Sequence, residues 1–172
     1  MRTINLTRNQ VAFVDDIDSD LLDYNWKALY IEATDRYCAV RNSGGRIHLH
    51  AILMHRVILS RVLSRPLLDT ERVDHINLDS LMNSRDNLRL STSSENQANR
   101  KVNSNNLSGF KGVCFDKRNN RWKATIGKDR KTINLGTFTD PISAAKAYDE
   151  AAERFFGEFA RTNKDMRLYN DK

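Results

Sequence analysis

The chain of 172 residues is poor in cysteine and proline, with two of each, and it contains no long apolar run. The cysteines, Cys38 and Cys114, lie far apart and form no Cys-x-x-Cys pair. This spacing excludes a disulfide scaffold and a cysteine-based zinc site, and it favours a reducing compartment. Because no stretch approaches about 20 consecutive apolar residues, a membrane-spanning helix is excluded. Residues 1–5 lack the apolar core of a signal peptide, so we expect a cytoplasmic protein.

The charge is concentrated in one part of the chain. Hydrophobic residues make up 40% and charged residues 29% of the sequence, and the net charge is +6. Residues 1–70 carry a net charge of +1 and residues 71–109 are neutral, whereas residues 110–172 carry +5. Within that last block, residues 110–134 hold eight basic and two acidic side chains. A solvated charged face is one interpretation, and a surface that binds nucleic acid is the other.

The first 70 residues alternate between strand-like and helix-like patterns and predict a small α+β region. Residues 24–30 and 37–41 are typical of strands, and the Asn-Ser-Gly-Gly sequence at 42–45 predicts a turn. Residues 47–50 are the predicted returning strand. Residues 51–63 carry apolar side chains at helical spacing and predict a helix.

The last part of the chain follows a polar, non-periodic segment, residues 101–108, which predicts a linker. Apolar residues such as Trp122, Ala124 and Ile126 then alternate with polar ones, which predicts a three-stranded antiparallel sheet with one apolar and one basic face. Pro141 begins a helix whose apolar face would cover the apolar side of the sheet.

The densest group of polar residues lies between these two parts. Asp74 and His75 follow an apolar residue at the end of a predicted strand, and a strand–loop–strand–helix unit would bring them close to Asn96. Carboxylate and amide oxygens suit a hard cation such as Mg²⁺, and a neutral histidine is a base near pH 7. Together, these groups point to the hydrolysis of a phosphodiester bond.

Residues 73–100 resemble the HNH endonuclease motif in the form found in phage and intron-encoded homing endonucleases. The matching residues, each at the interval of the family pattern, are Val73, Asp74, His75, Asp79, Asn83, Asn87, Leu88, Arg89, Thr92 and Asn96. Two positions depart from the pattern, since the family often has glycine at the position of Leu78 and aspartate at that of Met82. Both departures concern the geometry of the loop.

The resemblance implies a ββα-metal site. In that site His75 would be the general base that activates water, and Asp74 and Asn96 would hold one Mg²⁺ (or Mn²⁺) ion against the scissile phosphate. Asn87 would pin the loop by hydrogen bonds and so orient His75. The residues alone leave open whether Arg72, Arg89 and Arg100 contact phosphates or are ordinary surface charges.

The remaining histidines favour structural roles. His48 and His50 are two residues apart on a predicted strand, a spacing that can bind zinc, but no cysteine or third histidine is near them in the sequence. Packing or surface roles are therefore the preferred interpretation. His55 lies on the apolar face of its predicted helix and is expected to be a core residue with its polar atoms satisfied.

Residues 109–163 resemble an APETALA2-type (ERF-type) DNA-binding domain. The resemblance rests on Gly109–Val113, Trp122–Ile126, Leu135–Phe138, Ala144–Asp149, Ala151–Ala152, Phe156–Gly157 and Thr162–Asn163. Such domains place the polar face of a three-stranded sheet in the DNA major groove. The residues expected on that face are Lys111, Arg118, Arg121, Lys123, Thr125, Lys131, Thr132 and Asn134. Plant members carry arginines where this chain has Cys114 and Asp116, so their base specificity does not transfer.

These interpretations predict an α+β protein in five segments: a small α+β region at 1–70, an HNH (ββα-metal) motif at 71–100, a linker at 101–108, an APETALA2-type domain at 109–163 and a tail at 164–172. The predicted function is that of a site-specific homing-type DNA endonuclease acting in a bacterial or phage-infected cell. We expect it to bind double-stranded DNA as a monomer, to nick one strand and to need no small-molecule cofactor. The alternatives are a DNA-binding regulator with a decayed nuclease site and, less favoured, a nucleic-acid module built on a structural metal.

Overall fold

The computed structural model describes residues 1–42, 51–103 and 105–169. It shows a mixed α and β protein with antiparallel sheets, in which the chain divides into two units, Met1–Ser91 and Thr92–Lys172. The division falls inside the 71–100 segment that the sequence assigns to one motif. The predicted returning strand at 47–50, with His48 and His50, lies outside the described residues. No helix in the described ranges is long and apolar enough to cross a membrane.

The first unit is built from short antiparallel strands. Strand β1 (Arg2–Asn5) pairs with β2 (Val11–Val14). A three-stranded sheet has β4 (Arg36–Asn42) in the centre, between β3 (Lys27–Ile31) and β5 (Ala51–Leu53). The hairpin that follows pairs β6 (Arg72–His75) with β7 (Leu88–Ser91). Helix α1 (Met54–Val62) follows β5 directly. The helix predicted over 51–63 is therefore shorter, because Ala51 and Leu53 pair with β4 instead.

The core of the first unit is formed where α1 packs on the sheets. Met54 and Ile58 of α1 are fully buried, together with Val14 of β2 and with Leu21. At a typical 1.5–3 kcal/mol per fully buried apolar side chain, such residues supply most of the favourable free energy of folding. Leu88 at the start of β7 belongs to the same core, so the β6–β7 hairpin is anchored to α1.

A buried carboxylate fixes the segment that precedes β7. Arg85 Nε donates to Asp18 Oδ2 at 2.8 Å, and Arg61 Nη1 of α1 donates to Asp18 Oδ1 at 2.9 Å. Asp18 is fully buried. Burial opposes ionisation, but the hydrogen bonds from both arginines hold the pKa of Asp18 below its usual value. The chain leading into the hairpin is thus tied to α1.

The second unit contains the predicted antiparallel meander and its covering helix. After α2 (Ser93–Ala98) come β8 (Val113–Asp116), β9 (Arg121–Lys128), β10 (Lys131–Phe138) and α3 (Pro141–Phe156). A capping box begins α2, in which Thr92 Oγ1 accepts from the Glu95 amide and the Glu95 carboxylate accepts from the Thr92 amide. Asp140 caps α3 in the same unit, directly before Pro141.

Small side chains let α3 lie close to the sheet. Ala144 and Ala145 are fully buried against Val113 and Ala124. Gly112 has a positive φ of 74°, and a Cβ atom at this position would collide with the ring of Tyr148. Both facts require glycine at this position.

Candidate active site and nucleic-acid interface

The β6–β7 hairpin pairs the predicted metal ligand Asp74 with Arg89, the residue directly opposite it. Arg89 Nε donates to Asp74 Oδ2 at 2.9 Å, and Arg89 Nη2 forms an ion pair with the same oxygen at 2.9 Å. The two side chains are only 5% and 13% exposed. The sequence did not decide whether Arg89 contacts a phosphate or is a surface charge. In the structure it is instead the ion-pair partner of a buried carboxylate.

His75 ends β6 and is buried beside Asn83. Its Nε2 lies 3.1 Å from Asn83 Oδ1. Burial lowers the pKa of His75, and the hydrogen bond with Asn83 and the negative charge of Asp74 only partly oppose this shift. The imidazole is therefore neutral near pH 7, which is the state a general base requires.

A second histidine contacts His75 through its ring. The His55 and His75 ring centroids are 5.3 Å apart with planes at 86°, an edge-to-face arrangement. Burial, with smaller contributions from His75 and Arg56, lowers the pKa of His55 to about 3. The expectation of a satisfied core histidine is wrong in one respect, because the buried Nδ1 of His55 has no hydrogen-bond partner in the described part of the chain.

Asn87 makes hydrogen bonds across the loop between the two strands. Its Oδ1 accepts from the Asn77 amide at 3.0 Å, and its Nδ2 donates to Asn77 Oδ1 at 2.9 Å and to the Met82 carbonyl at 2.7 Å. Such hydrogen bonds can hold the loop between β6 and β7 in place, as the sequence predicted for Asn87. Leu78, at a position where glycine is common, has a φ of +68°, so this loop places a bulky residue in the left-handed region at a cost of about 1–2 kcal/mol.

Asn83 belongs to the sequence motif, but sequence reasoning gave it no role. Its side chain is fully buried, and its Nδ2 donates to the Leu81 carbonyl at 3.1 Å and contacts Met54 Sδ at 3.6 Å. Its neighbours in the sequence are mostly polar, so no pattern marks Asn83 as buried, and only its place in the HNH motif could have drawn attention to it.

The predicted metal ligands lie in different units, Asp74 in the first and Asn96 in the second, on α2. The pairing of the two around one ion therefore stays a prediction. Among residues 1–42, 51–103 and 105–169, no three or more His, Cys, Asp or Glu side chains are grouped to hold a metal. A carboxylate and an amide oxygen fit a hard cation that takes its other ligands from water and phosphate.

The outer face of the second unit's sheet carries most of the residues predicted to contact DNA. Along β9, Arg121, Lys123 and Thr125 alternate with inward Trp122, Ala124 and Ile126. On β10, Asn134 lies opposite Thr125 and Thr132 lies opposite Gly127, so both are on the outer face. Arg118 is exposed in the β8–β9 turn, where Asp116 Oδ1 accepts from its amide at 3.0 Å.

Lys111 and Lys131 are corrections to that predicted face. Lys111 Nζ donates to the carbonyls of Ala98, Arg100 and Arg161, so its ammonium closes the C-terminal end of α2. Burial, together with the charge of Arg161, lowers the pKa of Lys111 to about 8. Lys131 lies opposite Lys128 in the β9–β10 pairing, so the two side chains are on the same face of the sheet. Lys128 Nζ lies 4.8 Å from the centroid of the Phe155 ring on α3, which shows that this is the face covered by the helix.

Comparison with known proteins gives two results. Residues 108–158 match the family model of the AP2 domain. The chain is also 35% identical over 111 residues to a protein of Acanthamoeba polyphaga mimivirus named an uncharacterized HNH endonuclease, which covers 64% of this chain and 57% of that protein. Because this match is about twice as long as the AP2 match, the likeness extends beyond the AP2 domain.

Plant proteins match over shorter stretches of the chain. An ethylene-responsive transcription factor of Arabidopsis thaliana is 39% identical over 71 residues, 40% of this chain and 16% of that protein. APETALA2-like protein 2 of Oryza sativa subsp. japonica is 45% identical over 65 residues, 37% of this chain and 15% of that protein. The chain thus spans little more than half of the viral relative and about one sixth of these plant proteins.

The fold is of mixed α and β structure with antiparallel sheets. The chain carries an AP2 domain at residues 108–158 and is homologous to a protein named as an HNH endonuclease.

Proposed function

We propose that this protein is a site-specific DNA endonuclease of the homing type that hydrolyses phosphodiester bonds in double-stranded DNA in a bacterial or phage-infected cell. The observation that carries the proposal is that His75 is buried and directly follows Asp74 at the end of β6. The homology to a protein named as an HNH endonuclease supports the same reaction class. The AP2 domain would supply affinity and position on the DNA.

In this reaction His75 takes a proton from the water that attacks the phosphorus atom. The ring must be neutral to do so, and its burial keeps it neutral. Asn87 holds the loop that follows His75, and Arg89 holds the carboxylate of Asp74. Asp74 and Asn96 would hold a Mg²⁺ or Mn²⁺ ion, which would supply stabilisation of negative charge on the phosphate. One such site acts on one phosphodiester bond, so a monomer is expected to nick one strand.

The test is cleavage of supercoiled plasmid that contains a site selected from a genomic DNA library. Wild-type protein with Mg²⁺ should convert supercoiled plasmid to the nicked form, and His75→Ala should lower the rate by about 10²–10⁴-fold. DNA affinity should remain, because His75 is buried and belongs to the first unit, whereas the basic sheet belongs to the second. A His75→Ala protein that nicks at the normal rate contradicts the assignment of the base.

The second candidate is a sequence-specific DNA-binding regulator with a decayed nuclease site. It is favoured by the burial of Asp74 against Arg89, an ion pair for which a purely structural role would suffice. This candidate predicts that wild-type protein protects its selected site from chemical footprinting but does not nick the plasmid with Mg²⁺ or Mn²⁺.

A further inference from the structure

The orientation of the Asn83 amide is set by its neighbours. Its Nδ2 faces the Leu81 carbonyl and Met54 Sδ, which are both acceptors. A flipped amide would place its oxygen against these acceptors and lose both contacts. Asn83 Oδ1 therefore faces His75, and at 3.1 Å it accepts a hydrogen bond from Nε2–H.

The Asn83 backbone is also fixed. Its amide donates to the Phe13 carbonyl at 2.8 Å, while the Phe13 amide donates to the Leu81 carbonyl at 2.9 Å. These bonds join the residue to β2, outside the hairpin that carries His75. Asn83 has no solvent exposure, so water does not compete for its oxygen. A second ring, that of His55, packs against the imidazole at nearly a right angle and confines it further.

We propose that Asn83 is the positioning residue of the active site, which fixes the ring orientation of His75 and keeps its proton on Nε2. In a neutral imidazole with the proton on Nε2, Nδ1 carries the lone pair. Nδ1 is then the atom that removes the proton from the attacking water, and this catalytic consequence rests on the proposed function. Asn87 holds the loop, whereas Asn83 binds the ring itself.

The wild-type protein provides the first test. Two-bond proton–nitrogen NMR spectra of protein with ¹⁵N-labelled histidine distinguish the two neutral tautomers, and the His75 signals are those that disappear in His75→Gln. We expect the Nε2–H tautomer alone at a pH at which the ring is neutral. Observation of the Nδ1–H tautomer, or of a mixture of both, would overturn the proposal whether or not the protein cleaves DNA.

A pair of variants provides the second test. Asn83→Leu keeps the approximate size of the side chain but removes the acceptor, whereas Asn83→Asp keeps an acceptor oxygen at the same position. Asn83→Leu should lose the single tautomer, and its kcat for nicking should fall roughly 10–100-fold, the usual loss for a partner that orients an active-site group, with KM unchanged. Asn83→Asp loses the bond to the Leu81 carbonyl and should be less stable, but at a pH at which the ring is neutral it should retain the Nε2–H tautomer and a higher kcat than Asn83→Leu.

The outcomes separate this inference from the proposed function. If folded Asn83→Leu nicks at the wild-type rate while His75→Ala does not, the role of Asn83 is refuted and the nuclease assignment remains. If wild-type protein does not nick DNA, the nuclease assignment fails, and the NMR spectra alone decide whether Asn83 sets the tautomer. If Asn83→Leu does not fold, the wild-type tautomer and the Asn83→Asp variant decide.

Discussion

Asp74 Oδ2 accepts a hydrogen bond from Arg89 Nε and forms an ion pair with Arg89 Nη2, and Arg89 lies directly opposite Asp74 in the β6–β7 hairpin. Because both side chains are almost completely buried, the guanidinium is the cation that balances a carboxylate removed from water. The proposed metal ligand is therefore held in place by its own hairpin.

Replacement of Arg89 should destabilise the protein strongly. Arg89→Met leaves the Asp74 carboxylate buried without its cation, and breaking a buried pair in this way typically costs about 3–5 kcal/mol of unfolding free energy. Arg72→Met is the matched control, because Arg72 is an exposed arginine on the paired strand β6. Urea unfolding of both variants measures the difference. Equal midpoints for the two would show that the pair contributes nothing to stability.

Chelation should stop cleavage without unfolding the protein. A site made of one carboxylate and one amide depends on water and DNA for its other ligands, so its ion contributes to catalysis and little to folding. Nicking assays in EDTA, with and without added Mg²⁺, and thermal melts under the same conditions measure both effects. A large fall in melting temperature with EDTA would instead indicate a structural metal.

The two faces of the AP2 sheet should respond differently to substitution. Lys123→Ala, on the outer face, should weaken DNA binding and reduce the slope of log K against log salt by about 0.9, the value for one lost phosphate contact. Ile126→Ala, on the buried face, should cost about 2–5 kcal/mol of stability. Binding titrations at several salt concentrations and urea unfolding separate the two effects.

Lys111→Met is the control for that experiment, because it also removes a lysine from the basic segment 110–134. Because Lys111 Nζ binds three backbone carbonyls, its loss should lower the melting temperature and leave the salt slope of DNA binding unchanged. A reduced slope in Lys111→Met would restore Lys111 to the DNA-binding face.

His55 should make the protein sensitive to acid. The unfolded chain binds a proton at His55 below about pH 6.5, its ordinary pKa, and the folded chain does so only near pH 3. Acid therefore favours the unfolded state between these values, and stability should fall by up to about 1.4 kcal/mol per pH unit as the pH decreases through this window. The slope of unfolding free energy against pH should be smaller in His55→Leu than in wild type. Equal slopes would show that His55 titrates normally in the folded protein.

The sequence predicted the local features of the second unit well. The alternation around Trp122, Ala124 and Ile126 and the helix that begins at Pro141 appear in the structure as expected. These features depend on periodicity, and apolar residues on one face of a strand or helix must be buried wherever the rest of the chain lies. Lys111 and Lys131 are exceptions. Their long, flexible side chains add to the positive charge of the segment, but the sequence does not show which face of the sheet they lie on.

For the candidate site, the sequence by itself determined which residue types occur and at what spacing, including Asp74, His75, Asn87 and Asn96. Only the tertiary structure decided which of them meet. Arg89 became the partner of Asp74 through the register of the hairpin, and Asn83 became the partner of His75 because α1 and β2 enclose it. The physical reason is that a buried polar group must find a partner, but the path of the loop between two strands decides which partner comes within hydrogen-bond distance.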